Sequence, residues 1–199
     1  MTSPVECVQR PQEAEAHART PIIMQNEYTR PPAIGAPGFM KGPDMEMNGI
    51  VLSPDPRLRQ ECAEIEEITP ALERLVERMK GQMFENNGCG LAAPQVGELI
   101  QLVIIDTEYT GEADYDPFVL INPRIVEQSD STFTFNEGCL SIPGINVEIE
   151  RADHVAVEAY DLNRDLMRYE ADGDLLCVCL QHEIDHLHGI TMFERLSPM

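Results

Sequence analysis

The chain has 199 residues, 43% of them hydrophobic, which is enough for one domain with a buried core and a short extension. Its 35 acidic residues against 14 basic ones give a formal net charge of -21, and this excess of acid argues against nucleic-acid binding. No apolar stretch approaches the roughly 18 residues that cross a bilayer, and the N-terminus lacks the pattern of a secretory signal, so we expect a cytoplasmic protein without membrane contact.

Residues 1–46 differ in composition from the rest of the chain. Seven of the 15 prolines lie in the first 50 residues, where periodic apolar patterning is absent. We therefore predict a proline-rich, flexible N-terminal extension over residues 1–46, followed by a single domain over residues 47–199. The alternative is an arm that docks on this domain through its few apolar residues, among them Ile22, Ile23, Met24 and Phe39.

A first helix is predicted near residues 70–86. Thr69 can cap its N-terminus, Pro70 suits the first helical position, and the sequence Asn86-Asn87-Gly88 ends it. Apolar residues recur at helical spacing along one face, which we expect to be buried: Leu72, Leu75, Val76, Met79 and Met83.

Short segments rich in branched and aromatic residues follow, and they predict strands at residues 99–105, 118–121, 132–135, 147–149 and 154–160. Helical spacing returns at about residues 173–188 and stops at Gly189, a residue suited to the position after a helix. Two helices that bracket a set of strands indicate an α+β fold, in which short, mostly antiparallel strands pack around the C-terminal helix.

The C-terminal helix carries the sequence His182-Glu183-Ile184-Asp185-His186, an HExxH pattern. Residues four apart share one face of a helix, so both imidazoles can bind one metal ion, and Glu183 can accept a proton from water bound to that ion. Apolar neighbours predict that this helix is buried, where two histidines and a glutamate need the polar partner that a metal provides. The alternative is a pair of ordinary core histidines held by hydrogen-bonded carboxylates.

A third metal ligand is expected upstream of the helix. Met192 stands where metzincin proteases have a third histidine, and the acid downstream of the motif, Glu194, lies too close to fold back onto the ion. Cys139 lies between a glycine and a turn in the sequence Glu-Gly-Cys-Leu-Ser, and a Cys-His-His set leaves one coordination position open for water. Taken alone, Cys139 is more simply a small buried residue.

A third segment of interest joins the first helix to the strands and reads Gly88-Cys89-Gly90-Leu91-Ala92-Ala93-Pro94-Gln95. Its small residues would let a ligand approach the backbone, and Gln95 offers an amide donor. The segment lacks the lysine and hydroxyl residue of a phosphate-binding loop. The alternative is a tight loop that only connects two elements.

Together these three segments resemble the peptide deformylases, a family with motifs of the form GxGLAAPQ, EGCLS and QHExDH. The motifs occur here in family order, at residues 88–95, 137–141 and 181–186, and the resemblance covers about residues 50–197. It implies that residues 47–199 form a catalytic metallohydrolase domain. It also implies the reaction, removal of the N-formyl group from the N-terminal formylmethionine of newly made proteins.

The resemblance implies the residues of the metal centre. Cys139, His182 and His186 match the metal ligands, with water in the fourth position. Glu183 matches the general base that activates this water and the acid that protonates the departing amine. The metal is typically ferrous iron in the cell, and zinc, nickel or cobalt can occupy the same kind of site.

The resemblance also implies the residues that contact substrate. The side-chain amide of Gln95 and the backbone N–H of Leu140 match donors to the oxyanion, and the backbone of Gly90 matches a position that holds the extended peptide. Four residues match or adjoin positions that line the pocket for the methionine side chain: Cys89, Phe135, Val178 and Cys179. Arg151 is expected either to help hold substrate or to form a structural salt bridge.

The partners implied by the resemblance are N-formylmethionyl nascent polypeptides. Many bacterial members dock on the ribosome through a long basic C-terminal helix that has no counterpart here. The strong negative charge would also weaken contact with ribosomal RNA, so stable ribosome docking is not expected.

Two other functions stay open at the level of sequence. An HExxH metallopeptidase is disfavoured because no suitable third ligand follows the motif. A non-catalytic, metal-stabilised binding module is disfavoured because such a module would need neither Glu183 nor Gln95.

Overall fold

The structure, a computed structural model, describes residues 46–47, 49–107 and 117–196. The predicted N-terminal extension therefore lies outside the described residues, apart from Glu46. Nine strands occur in the described ranges: β1 (Glu46–Met47), β2 (Ile50–Val51), β3 (Gly90–Ala92), β4 (Leu102–Ile105), β5 (Phe118–Gln128), β6 (Thr132–Cys139), β7 (Ile142–Ala152), β8 (His154–Tyr160) and β9 (Leu166–Asp172). The two α-helices there are α1 (Pro70–Glu85) and α2 (Leu175–Leu187).

The central element is a five-stranded antiparallel sheet with the strand order β3-β4-β5-β8-β9. Strands β6 and β7 form a separate antiparallel hairpin, and β1 pairs with β2. Two helices with mostly antiparallel strands make this an α+β fold, as the sequence predicted.

The sheet is covered on both faces, and β4 explains how. Successive side chains of a strand point to opposite faces, so a strand with four buried residues serves two cores. Val103 and Ile105 belong to a core that includes Leu180 and Ile184 of α2. Leu102 and Ile104 belong to a second core, which contains the apolar face of α1. The sheet is thus held between the two helices.

Helix α1 follows the prediction closely. The Thr69 hydroxyl accepts a hydrogen bond from the backbone N–H of Leu72 at 3.3 Å, and Asn86 ends the helix. Of the five apolar residues predicted to face the core, Leu75 alone is only half-buried.

Helix α2 is buried along most of its length and packs against β3, β4, β8 and β9. Its N-terminus is capped by Asp174, whose carboxylate accepts from the backbone N–H of Cys177 at 2.8 Å. Gly189 follows the helix with a φ of +68°, and a Cβ there would lie 2.6 Å from the backbone carbon of Arg59. The predicted stop therefore depends on glycine for both conformation and space.

The strand predictions were correct in position but incomplete. Strands β5, β6 and β7 are longer than predicted. The missed part of β5 is mostly exposed, and so are residues 143–146 of β7. The missed part of β6 contains the buried Glu137 and Cys139 but lacks an apolar run. Strand β9 was missed, since it is an edge strand whose residues are mostly exposed. Strand β3 was read as a loop because glycine and alanine carry little strand signal. No helix in the described ranges is long and apolar enough to span a membrane.

Candidate active site

The side chains of Cys139, His182 and His186 meet between the end of β6 and α2. Each offers one ligand atom that lies within 4.8 Å of the other two, and all three residues are buried. Cys139 Sγ lies 3.3 Å from His186 Nε2. The two imidazoles are one helical turn apart with ring centroids separated by 5.0 Å, so both face the sulfur from one side of the helix.

Glu137 orients the first histidine. Nδ1 of His182 donates to Glu137 Oε2 at 2.8 Å, which leaves Nε2 of His182 as the nitrogen available to an ion. Glu137 and Cys139 are two residues apart on β6 and both are buried, so they lie on the same face of the strand. One strand therefore supplies both the Cys139 sulfur and the carboxylate that orients the imidazole of His182.

A buried ion network extends from Glu137. Arg151 on β7 donates to both carboxylate oxygens of Glu137, at 2.6 Å from Nε and 2.9 Å from Nη2. Its remaining nitrogen, Nη1, donates to Asp185 of α2 at 2.6 Å. Arg195 also pairs with Asp185, through Nε at 2.8 Å and through Nη2. Of the two roles expected for Arg151, the structural salt bridge is the one formed.

The buried groups carry pKa values displaced from the ordinary range. Burial raises the pKa of Glu137, but hydrogen bonds from Arg151 and His182 outweigh this effect and bring it to about 2. Burial raises the pKa of Glu183 to about 7 and lowers that of His186 well below its usual value. His186 is therefore neutral and able to donate a lone pair.

Glu183 lies against the first glycine of β3. A Cβ built on Gly90 would lie 2.5 Å from Glu183 Oε1 and 2.9 Å from Cγ and Cδ. Gly90 is thus the residue that makes space for the carboxylate. Glu183 Oε2 is buried and has no hydrogen-bond partner among the described residues, so one oxygen remains available.

Gln95 is held beside Cys139 by the backbone. It lies in the short 3-10 helix Ala93–Val96 that follows β3, and its Oε1 accepts from the N–H of Ala92 at 2.8 Å. This fixes the orientation of the amide, whose Nε2 lies 3.5 Å from Cys139 Sγ and 3.3 Å from Ser141 Oγ. The amide donor therefore points toward the Cys139, His182 and His186 group.

Cys89 and Cys179 form a pair of thiols next to this group. Their sulfur atoms are 3.2 Å apart, with Cys179 buried and Cys89 half-buried. A hydrogen bond between them lowers the pKa of Cys89 and raises that of Cys179. Cys179 precedes Glu183 by four residues, so the pair lies one turn from that carboxylate on the same helix face.

Three further site residues were predicted, and each lies on the same element as one of these groups or next to it: Val178, Phe135 and Leu140. Val178 precedes His182 by one turn of α2 and is buried. Phe135 is half-buried on the face of β6 that carries Glu137 and Cys139, with its ring edge-on to Phe133 at 6.2 Å. Leu140 follows Cys139 directly, and its side chain crowds Gly88, where a Cβ would lie 2.8 Å away.

The donor set fits a divalent metal ion. One thiolate and two neutral imidazoles are a ligand set for first-row transition metals and leave a position for water. Glu183 Oε2, a buried atom beside these ligands, has no partner in the part of the chain that the structure describes. A buried carboxylate oxygen without a partner, beside three converging ligand atoms, is expected of a centre built around an ion and water.

The contacts that hold the site residues in place were not predicted from the sequence. These are the contacts from Glu137 to His182, from Ser141 to Gln95, and from Arg195 to Asp185. Glu137 and Asp185 lie inside the recognised motifs, and an acid fixed beside a metal ligand is a signal for such a partner. Arg195 carries no comparable signal.

Sequence comparison matches this chain to peptide deformylases. The family model described as polypeptide deformylase matches residues 47–199. A peptide deformylase of Brucella suis is 40% identical over 155 residues, which cover 78% of this chain and 87% of that protein. One of Acinetobacter baumannii is also 40% identical, covering 78% of this chain and 86% of the relative.

Solved structures of peptide deformylases also resemble this chain. The crystal structure of peptide deformylase from Thermotoga maritima superposes with a TM-score of 0.69 at 35% identity, covering 75% of this chain and 97% of that one. A peptide deformylase from Synechococcus elongatus in complex with actinonin gives a TM-score of 0.69 at 39% identity, covering 75% of this chain and 78% of that one.

Proposed function

Because the chain belongs to the polypeptide deformylase family, hydrolases that use a divalent metal to remove the N-formyl group from nascent peptides, we propose that Cys139, His182 and His186 bind this metal. We further propose that Glu183 moves the protons of the reaction. The observation that carries this assignment is the convergence of the three ligand atoms within 4.8 Å, beside a buried carboxylate oxygen without a partner.

The metal ion, when bound, supplies charge that polarises the formyl carbonyl and lowers the pKa of water. Glu183 accepts a proton as the water oxygen attacks the formyl carbon. Its pKa of about 7 suits a group that both accepts and returns a proton near neutral pH. When the carbon–nitrogen bond breaks, Glu183 delivers the proton to the departing amine, and formate is the second product.

Negative charge develops on the formyl oxygen as the tetrahedral centre forms. Gln95 Nε2 is the side-chain donor to this oxygen, and the Leu140 backbone N–H is the second donor. The hydrogen bond between Gln95 Oε1 and the Ala92 N–H supports this role, because it holds the amide in place before substrate arrives. An amide fixed in advance costs no reorganisation during the reaction.

The methionine side chain occupies a pocket lined by Cys89, Phe135, Val178 and Cys179. Sulfur and aromatic groups suit a flexible thioether, which makes favourable contacts with both. The backbone of Gly90 binds the extended peptide next to Glu183. The closeness of Gly90 to that carboxylate supports this role, since a peptide held along β3 would present its formyl end to Glu183.

We also propose which metal the site holds, where the substrates are met and how the chain is divided. The metal in the cell is ferrous iron, with zinc, nickel or cobalt able to take its place, because a mixed sulfur and nitrogen set accepts several first-row ions. The substrates are N-formylmethionyl nascent polypeptides in the cytoplasm. The net charge of -21 opposes stable docking on ribosomal RNA. Residues 47–199 act as the catalytic domain, and residues 1–46 as an extension.

The Glu183→Gln variant tests the mechanism. It preserves shape and leaves the three ligands in place, so metal content and melting temperature should remain near those of the parent. An amide cannot shuttle the proton, and general acid–base help is worth about 10²–10⁴-fold, so deformylation of a formyl-Met peptide should fall by about that factor. Glu148→Gln, an exposed change on β7, is the matched control.

The same assay separates the competing functions. Cleavage of an internal peptide bond in preference to the formyl group would favour the metallopeptidase. Turnover of Glu183→Gln within a few-fold of the parent would contradict the assigned mechanism. If the domain were a metal-stabilised binding module, the parent would not deformylate the peptide, and Glu183→Gln would change only its stability.

A further inference from the structure

We propose that Cys89 and Cys179 are a redox modification site that peroxide converts into a disulfide in the lining of the methionine pocket. The sulfur atoms are 3.2 Å apart, whereas a disulfide needs about 2.05 Å, so they must approach by only about 1.2 Å. Both residues are free thiols in the reduced protein.

The two sulfurs differ in access, as an attacking and a resolving cysteine must. Cys89 is half-buried, so a small oxidant can reach it, whereas Cys179 is only 4% exposed and lies behind it. Cys89 stands between two glycines, Gly88 and Gly90, in the connection from α1 to β3. Cys179 belongs to the rigid helix α2, so the movement that closes the bond falls on the Cys89 side.

The chemistry balances with hydrogen peroxide as the oxidant. The Cys89 sulfur attacks one peroxide oxygen, the O–O bond breaks, and Cys89 sulfenic acid forms with release of one water. The Cys179 sulfur then attacks the Cys89 sulfur, the S–O bond breaks, and the hydroxide leaves with the Cys179 proton as a second water. Two thiols and one peroxide thus give one disulfide and two waters.

Other cysteines among the described residues are poorly suited to this reaction. Cys177 is fully buried and its sulfur contacts the carbonyl oxygen of Ala152 at 3.4 Å, on a different side of α2 from Cys179. Cys62 is buried, and burial raises its pKa to about 11, so it is rarely a thiolate. The thiol pair is thus distinguished by both proximity and access.

The disulfide would act on the active site through Gly90. Cys89 is bonded to Gly90, which already touches Glu183 so closely that a Cβ would lie 2.5 Å from its carboxylate. Drawing Cys89 toward Cys179 would displace this contact and change the shape of the pocket wall that the two residues form. Misplacement of a reacting group by 1 Å can cost about 10²-fold in rate. The predicted loss of activity rests on the proposed function; the predicted bond does not.

The test uses the full-length protein loaded with nickel, so that oxidation of ferrous iron does not contribute. The protein is treated with one equivalent of hydrogen peroxide, free thiols are then alkylated, and the disulfide is mapped by mass spectrometry of a non-reducing digest. We expect a peptide that joins Cys89 to Cys179, a fall of about 10²-fold in deformylation, and recovery of both after dithiothreitol.

Two variants provide the comparison, each measured relative to its own untreated activity. Cys89→Ser should yield no peptide that joins residues 89 and 179. Peroxide should cause no loss of its deformylation activity that dithiothreitol reverses. Cys177→Ser, on the same helix, should behave like the parent.

Absence of the Cys89–Cys179 peptide, or an equal reversible fall in Cys89→Ser, would overturn the proposal. A mapped disulfide with unchanged activity would overturn its effect on catalysis. If the untreated protein does not deformylate at all, the proposed function fails while the mapped bond still decides the chemistry.

Discussion

At the scale of single residues, the sulfur of Cys139 is the proposed ligand with the sharpest test, because a second buried cysteine serves as its control. Cys139 and Cys177 are both buried cysteines, but only Cys139 lies with His182 and His186. We expect Cys139→Ala to lose the metal and all measurable deformylation, because a thiolate is a strong donor for these ions. Cys177→Ala should keep full metal content. Metal analysis of the two purified variants checks this, and a fully metallated, active Cys139→Ala protein would contradict the ligand assignment.

Gly90 offers a second residue-scale test, directed at the position of Glu183 rather than its chemistry. Any Cβ at residue 90 must displace the carboxylate, which it would approach to 2.5 Å. Gly90→Ala should therefore keep its metal but lose about 10²-fold in kcat. Gly81→Ala in α1 is the control, because a Cβ there meets nothing within 4 Å. Equal rates for Gly90→Ala and the parent would show that the carboxylate has room to move.

Residue patterns predicted the centre of the site better than its surroundings. Spacing on a helix relates His182 to His186 without knowledge of the fold, because residues four apart share a face. By contrast, the contact between Glu137 and His182 spans 45 positions and exists only because β6 ends against α2. Arg195 reaches Asp185 by the turn that follows α2, which no local pattern encodes.

At the scale of elements, Arg151 joins three parts of the fold. It lies on β7, bonds Glu137 on β6 and bonds Asp185 on α2, all in the buried interior. Arg151→Met would leave the buried carboxylate of Glu137 without its guanidinium partner, whereas Asp185 would keep its pairing with Arg195. Breaking a buried pair in this way typically costs about 3–5 kcal/mol. We expect the free energy of unfolding, measured by urea denaturation at fixed metal concentration, to fall by about that amount.

The matched control for this prediction is Arg168 on β9. It also pairs with several acids, Glu127, Glu158 and Glu170, but it does so at the surface. Solvent and salt screen exposed pairs, so Arg168→Met should leave the melting temperature nearly unchanged. If the two variants lose equal stability, burial is not what gives the Arg151 network its strength.

The helices were easier to predict than the strands for a physical reason. Helix α1 carries a cap at Thr69 and an apolar face that can be read within 20 residues. Helix α2 was predicted from its apolar run and the glycine that follows it. A strand is defined by its neighbours instead. Strand β3 consists of Gly90, Leu91 and Ala92, and it becomes a strand through its pairing with β4. Strand β9 was not predicted because it lies at the edge of the sheet, and its exposed residues resemble a polar loop.

At the scale of the whole molecule, the sequence predicts an extension over residues 1–46 followed by a domain. The family match begins at residue 47, and the proline-rich composition lies before it. We expect a protein that lacks residues 1–44 to retain its metal, its melting temperature within a few degrees, and its deformylation rate within a few-fold. Loss of most activity in the shortened protein would instead support the alternative, an arm that docks on the domain.

Strand β6 carries Cys139 and Glu137 on one face, two residues apart, so the proposed ion binding would be coupled to the pairing of the hairpin. A slip of one residue along β7 would turn both side chains away from α2 together, because alternate residues face opposite sides. The proposed metal site thus depends on this register, and an error of one residue would remove the Cys139 sulfur and the Glu137 carboxylate from it together. By linkage, an ion that binds only this register must also stabilise it against opening. Chelation should therefore speed amide hydrogen exchange along β6 and β7 before it affects α1, which contributes no ligand.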